Sequence, residues 1–120
     1  MEFILKLLNN TKVFFWLLEE SCLDCIRYQH LKLKPQTLNI GVRSSKERER
    51  MANYLVDYYR FTYKQGIITN GNIRVIIKIE NQSNTKVMSL QETIVNVPCP
   101  VVRYLRILYG TDWRNYNGIK

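Results

Sequence analysis

Phe15-Trp16-Leu17-Leu18-Glu19-Glu20-Ser21-Cys22-Leu23-Asp24-Cys25-Ile26-Arg27 changes character half-way along. The run from Val13 to Leu18 is β-branched, aromatic and aliphatic with no polar break, which suits a short buried strand. From Ser21 to about Gln29 the residues Cys22, Leu23, Cys25 and Ile26 offer an apolar helical face, with Arg27 near the end. The stretch therefore reads as a strand feeding a helix.

Working outward, residues 2–9 place Phe3, Ile4, Leu7 and Leu8 at helical spacing, and Asn9-Asn10 supplies a stop. Pro35 disfavours helical dihedrals at Lys34, and Leu38 to Val42 reads as a second buried strand closed by Gly41. Ser44-Ser45-Lys46-Glu47 matches a capping box, in which the Ser44 hydroxyl and the Glu47 carboxylate satisfy orphan amides at a helix start. Met51, Tyr54, Leu55 and Tyr58 then recur at i, i+3, i+4 and i+7, the stripe that such a helix buries.

Ile67-Ile68-Thr69, Asn70-Gly71 and Ile73 to Glu80 predict a hairpin, with Ile73, Val75, Ile77 and Ile79 on the core face and Arg74, Ile76, Lys78 and Glu80 on the other. Asn81 to Thr85 is turn-like, and Lys86 to Leu90 with Thr93 to Val97 predicts a second hairpin. Pro100 fits the first turn of a helix bearing Val101, Val102, Leu105, Leu108 and Tyr109, with Gly110 as its cap. The tail from Trp113 to Lys120 is expected to be loose, and no repeat is apparent. The sum is an α+β fold, a mixed sheet with helices packed against it.

At 120 residues the chain reads as a single domain, 1–120, able to bury roughly 60 to 70% of its unfolded surface. Apolar residues make up 46% of it, with eight Tyr, which argues against disorder. The net charge of +8 comes from scattered Lys and Arg, apart from a mixed cluster from Arg43 to Arg50. Such a surface attracts nucleic acid, anionic lipid or nucleotide phosphate alike. The apolar run near the amino terminus falls far short of the ~20 residues that span a bilayer, and no signal-peptide pattern accompanies it.

An odd count of three cysteines argues against a disulfide framework. Cys22 and Cys25 form a C-x-x-C pair, with His30 and Cys99 elsewhere, but a second closely spaced ligand pair is missing. They are read as buried, inert thiols and no metal is assigned to them. His30 has no fixed partner in the sequence and reads as a loop residue.

The ordered set Phe15-Trp16-Leu17, Cys22-Leu23, Arg27, Leu38-Asn39-Ile40-Gly41, Val97-Pro98-Cys99 and Tyr109-Gly110-Thr111-Asp112-Trp113 resembles the fukutin and LicD family of phosphotransferases, which have a nucleotidyltransferase fold. The resemblance spans about Phe15 to Trp113 and is shortened between Glu80 and Val97. It implies transfer of a phospho-alcohol, such as ribitol phosphate or phosphocholine, from a cytidine diphosphate donor to a glycan. The family's carboxylates hold divalent Mg²⁺ or Mn²⁺ on the donor's diphosphate. It also implies a setting in the secretory pathway or at bacterial surfaces.

Carried across residue by residue, the family's Asp-x-Asp positions fall on Thr37 and Asn39, and its later Asp on Arg74. The family's small glycines correspond to Glu19 and Glu20, which leaves Ser21 and Arg27 as polar contacts for phosphate. The resemblance thus implies a fukutin/LicD-like protein without its metal-binding acids, catalytically inactive and left with a binding or regulatory role toward a nucleotide or glycan-related ligand.

Two other readings stand beside it. In one, Glu19, Glu20 and Asp24 form a replacement acidic site in an active enzyme. In the other, a small basic module binds nucleic acid through phosphates and stacking, although no RNA-binding signature supports it.

Overall fold

The computed structural model describes residues 2–28, 37–82, 84–90 and 93–116. The expectations for Gln29, His30, Lys34, Pro35, the side chain of Phe3 and the tail beyond 116 lie outside the described residues.

Helix α1 (Glu2–Asn10) leads to strand β1 (Trp16–Leu17), helix α2 (Glu19–Tyr28), strand β2 (Thr37–Val42) and helix α3 (Ser45–Tyr59). Three strands follow, β3 (Thr62–Lys64), β4 (Ile67–Asn70) and β5 (Ile73–Ile79), then the hairpin β6 (Thr85–Leu90) and β7 (Thr93–Pro98), helix α4 (Val101–Tyr109) and a 3-10 turn at Trp113–Asn115. The fold is α+β. Its main sheet has the order β1-β2-β5-β4-β3, and β6 and β7 form a separate pair. β2 and β5 run parallel at its centre and the other neighbours are antiparallel.

Alternation along β2 and β5 sorts the sheet into two faces. Leu38, Ile40, Val42, Val75 and Ile77 join one buried cluster with Ile4, Leu5 and Leu8 of α1, Cys22, Leu23 and Cys25 of α2, and Met51, Ala52 and Leu55 of α3. The opposite face carries Thr37, Asn39 and Gly41 from β2, and Arg74, Ile76 and Lys78 from β5. None of these side chains except the bare Gly41 is buried.

Several local expectations need correction. β1 pairs over only two residues, Trp16 with Gly41 and Leu17 with Ile40, because the Phe15 carbonyl is taken by the Asn96 side-chain amide at 3.1 Å. α2 begins at Glu19, not Ser21, so Glu19 and Glu20 belong to a helical first turn and not to a strand end. Only half of the capping box forms as expected. The Ser44 hydroxyl accepts from the Glu47 amide at 3.2 Å, while the Glu47 carboxylate is 3.3 Å from that same hydroxyl and not on a backbone amide.

The predicted stripe on α3 ends early, since Tyr58 is 72% exposed and meets the Tyr54 ring in a tilted contact at 4.9 Å instead of entering the core. Ile79, at the end of β5, is likewise exposed. The β4–β5 loop is Gly71-Asn72, with Asn70 paired to Ile73, so the positive φ of 60° falls on Gly71 alone, as a II′ hairpin places it. Strand β3 had no sequence signal beyond Thr62-Tyr63-Lys64 and is joined to β4 through Gln65 and Gly66, both at positive φ.

α4 buries only Leu105, because it packs against α2, β7 and the 3-10 turn without lying across the main sheet. Gly110 does cap it, donating to the Arg106 carbonyl at 2.8 Å with φ 86°. The expected loose tail is also corrected at its start. Trp113 is buried, and the Tyr109 and Tyr116 rings meet in a tilted contact at 4.5 Å, so the chain stays packed through 116.

Candidate functional site

The turn from β1 into α2 positions the site. Leu18 donates its amide to the Asn39 carbonyl at 2.9 Å, which extends the β1–β2 ladder by one bond. Glu19 then turns the chain with a left-handed φ of 52°, a conformation that costs a residue with a Cβ about 1–2 kcal/mol. The Glu19 amide donates to the Tyr104 hydroxyl at 2.8 Å, and its carboxylate meets the Lys78 ammonium at 2.6 Å.

Ser21 was expected to contact phosphate. It is the third residue of α2, buried, and its hydroxyl accepts the Asn39 amide at 2.8 Å. A fixed hydrogen bond therefore ties the start of α2 to the middle of β2.

The parallel register of β2 and β5 brings together the three positions, Thr37, Asn39 and Arg74, onto which the resemblance carried the family's carboxylates. Thr37 is opposite Arg74, Asn39 opposite Ile76, and Gly41 opposite Lys78. Alternation puts Thr37, Asn39 and Arg74 on the same face, and β4 adds Thr69 opposite Arg74. The result is a shelf of neutral oxygens and amides with two basic side chains, Arg74 exposed and Lys78 half-buried.

Trp16 closes one end of this shelf. An ideal Cβ on Gly41 would lie 2.5 Å from the Trp16 Nε1, so the indole lies across the glycine and only a hydrogen fits there. Trp16 is fully buried and its Nε1–H has no hydrogen-bond partner among the described residues.

The other residues singled out in the sequence do not converge here. Arg27 lies in the last turn of α2, where its guanidinium donates to the Tyr116 carbonyl and, at 2.5 Å, to the Tyr28 hydroxyl. That is not the surface ion pair ordinary for an Arg, nor a position on the shelf. Among the acids, Glu19 is paired with Lys78, Glu20 is exposed, and Asp24 is half-buried one turn further along. Among the described residues no three His, Cys, Asp or Glu side chains are grouped to hold a metal ion.

Cys22 and Cys25 are free and buried. Burial, with a lesser contribution from Cys25, pushes the Cys22 thiol well above its usual range. Burial, aided by Asp24, raises the Cys25 thiol to about 11. Both are therefore neutral at physiological pH and poor nucleophiles.

Tyr104 is the residue that sequence reasoning missed at this site. Burial raises its hydroxyl to about 12 despite the opposing hydrogen bond from the Glu19 amide, so it stays a neutral acceptor. It lies inside the helix predicted between Pro100 and Gly110, where sequence alone assigns it no role.

No family model matches the chain, and no curated protein matches it. Among the described residues no helix is long and apolar enough to cross a membrane.

Proposed function

We propose that the chain is a divergent, shortened relative of the fukutin and LicD phosphotransferases, with a nucleotidyltransferase-like sheet whose open face binds a phosphorylated, nucleotide or glycan-related ligand without metal-dependent transfer. The observation that carries this reading is the register of Thr37 with Arg74 on one face beside Asn39. The positions assigned to three metal-binding carboxylates are adjacent, as one site requires, but none can supply an anionic oxygen.

A divalent cation does not fit these residues. Mg²⁺ gives up its water reluctantly and is bound through carboxylates. Beside the fixed charge of Arg74 it would be repelled by about 2 kcal/mol at ~5 Å in water, and by several times that at an effective dielectric of 20. Arg74 instead offers direct charge-assisted hydrogen bonds to phosphate oxygens, with the Thr37 hydroxyl and Asn39 amide as neutral partners and Lys78, already paired with Glu19 at 2.6 Å, adding only its remaining N–H groups. Binding needs no further group; transfer would need a charge clamp that this shelf does not provide.

The rival acidic site is disfavoured by the 2.6 Å pair between Glu19 and Lys78, which occupies one of its three acids. The test is incubation of the purified chain with cytidine diphosphate ribitol or cytidine diphosphate choline and Mn²⁺, together with melting curves across a Mn²⁺ series. The expected result is no metal-dependent release of cytidine monophosphate and no metal-dependent rise in Tm. Turnover or stabilisation abolished by Glu19→Gln or Glu20→Gln would establish the rival.

A further inference from the structure

The last turn of α2 and the 3-10 turn enclose a cleft of about 340 Å³, lined by Ile26, Arg27, Tyr28, Trp113 and Arg114. We propose that this cleft is a second binding site, for a small organic phosphate that carries a flat ring. It is separate from the shelf, since Ser21 meets Asn39 in the first turn of α2 while Arg27 is in the last.

Its chemistry follows from two guanidinium groups brought in by different elements. Arg27 lies over the Tyr28 ring at 4.9 Å and Arg114 over the Trp113 ring at 4.4 Å. A guanidinium laid on an aromatic face can keep its N–H edge for a bidentate anion, as Arg114 does, whereas Arg27 already donates once from each terminal nitrogen, to the Tyr116 carbonyl and the Tyr28 hydroxyl, and contributes its charge and its remaining N–H groups.

Among the described residues neither cation has a carboxylate within ion-pairing distance. Two like charges in one cleft without a counter-charge among the described residues are what an anionic ligand would relieve. Ile26, Tyr28 and the small accessible part of the buried Trp113 supply the apolar walls of a mainly polar lining, and the volume matches the lower end of small-molecule sites. A bare inorganic anion would leave those walls unused.

A purely structural role accounts for part of this arrangement. Arg27 sits favourably at a helix C-terminus and pins the Tyr116 carbonyl. Arg114 has no such duty: it is exposed, and its contact with the Trp113 ring is its one interaction among the described residues. The structural account therefore leaves one cation unexplained, and a ligand site explains both.

The experiment is a titration of phenyl phosphate followed by the indole N–H resonance of Trp113, assigned with Trp113→Phe. Inorganic phosphate and benzyl alcohol serve as comparison probes. Phenyl phosphate is expected to give a saturable shift, inorganic phosphate a weaker one and benzyl alcohol none. Losing one charge-assisted contact in Arg114→Gln should weaken binding about tenfold.

Arg114→Gln is the primary variant because it removes no hydrogen bond among the described residues, and Arg27→Lys is the second. Arg74→Gln, on the shelf, should leave the titration unchanged. A shift that does not saturate, equal affinity for phenyl phosphate and inorganic phosphate, no change in Arg114→Gln, or loss in Arg74→Gln would each overturn the proposal.

Discussion

Replacing Glu19 by Gly and by Ala separates backbone strain from charge pairing at the turn that builds the site. Glu19 has φ 52°, and its carboxylate pairs with Lys78 at 2.6 Å while both side chains remain about two-fifths exposed (39% and 42%). An ion pair so exposed is worth ~0–1 kcal/mol, and either substitution removes it. Glu19→Ala keeps the left-handed strain, whereas Glu19→Gly sheds about 1 kcal/mol or more of it.

Glu19 is the first residue of α2, so the Gly penalty of a helix interior applies there only in part. The Gly variant should therefore be more stable than the Ala variant by ~1 kcal/mol, and within a few tenths of the parent. Urea unfolding with unchanged slopes reads this difference as a shift in midpoint. If Glu19→Gly were instead less stable than Glu19→Ala by ~1 kcal/mol, the ordinary helix-interior order, the strained turn would be refuted.

The remaining predictions concern packing and titration. Gly41→Ala places a Cβ 2.5 Å from the Trp16 Nε1 and 2.7 Å from its Cε2, and should destabilise the fold by ~1–3 kcal/mol in urea melts through overpacking. Tyr104, raised from 10.0 to about 12 chiefly by burial, binds its proton more tightly folded than unfolded. Its contribution is therefore complete below pH ~10 and is lost as pH rises toward 12, so alkaline melts of Tyr104→Phe should fall less steeply over that window. In an aromatic-disulfide titration of the native protein, half-buried Cys99 should react first, and buried Cys22 and Cys25 only on unfolding.

The elements that could be read from sequence were those whose pattern is local. β2, β4 and β5 alternate, Ser44 and Glu47 announce α3, and Gly110 ends α4, because each signal rests on residues a few positions apart. β3 was invisible because three residues carry no period, and its pairing depends on the two positive-φ residues Gln65 and Gly66. Tyr58 and Ile79 fit an apolar stripe but face outward, since periodicity names a face without saying how far a neighbour covers it.

The candidate site was partly legible for the same reason. Thr37 and Asn39 share a face by alternation alone, but the opposition of Thr37 to Arg74 is a parallel register across more than thirty residues. Tyr104 reaches the Glu19 amide only through packing of α4, and the partnership of Arg27 with Tyr116 needed a tail that sequence gave no reason to hold in place.

Direct, metal-free binding of phosphate on the shelf of Thr37, Asn39 and Arg74 can be measured by calorimetric titration of cytidine diphosphate in EDTA and in Mg²⁺. The expected result is saturable binding in EDTA, the same affinity in Mg²⁺, and loss of binding in Arg74→Glu. Binding that appears only with Mg²⁺, or that ignores Arg74→Glu, would contradict it.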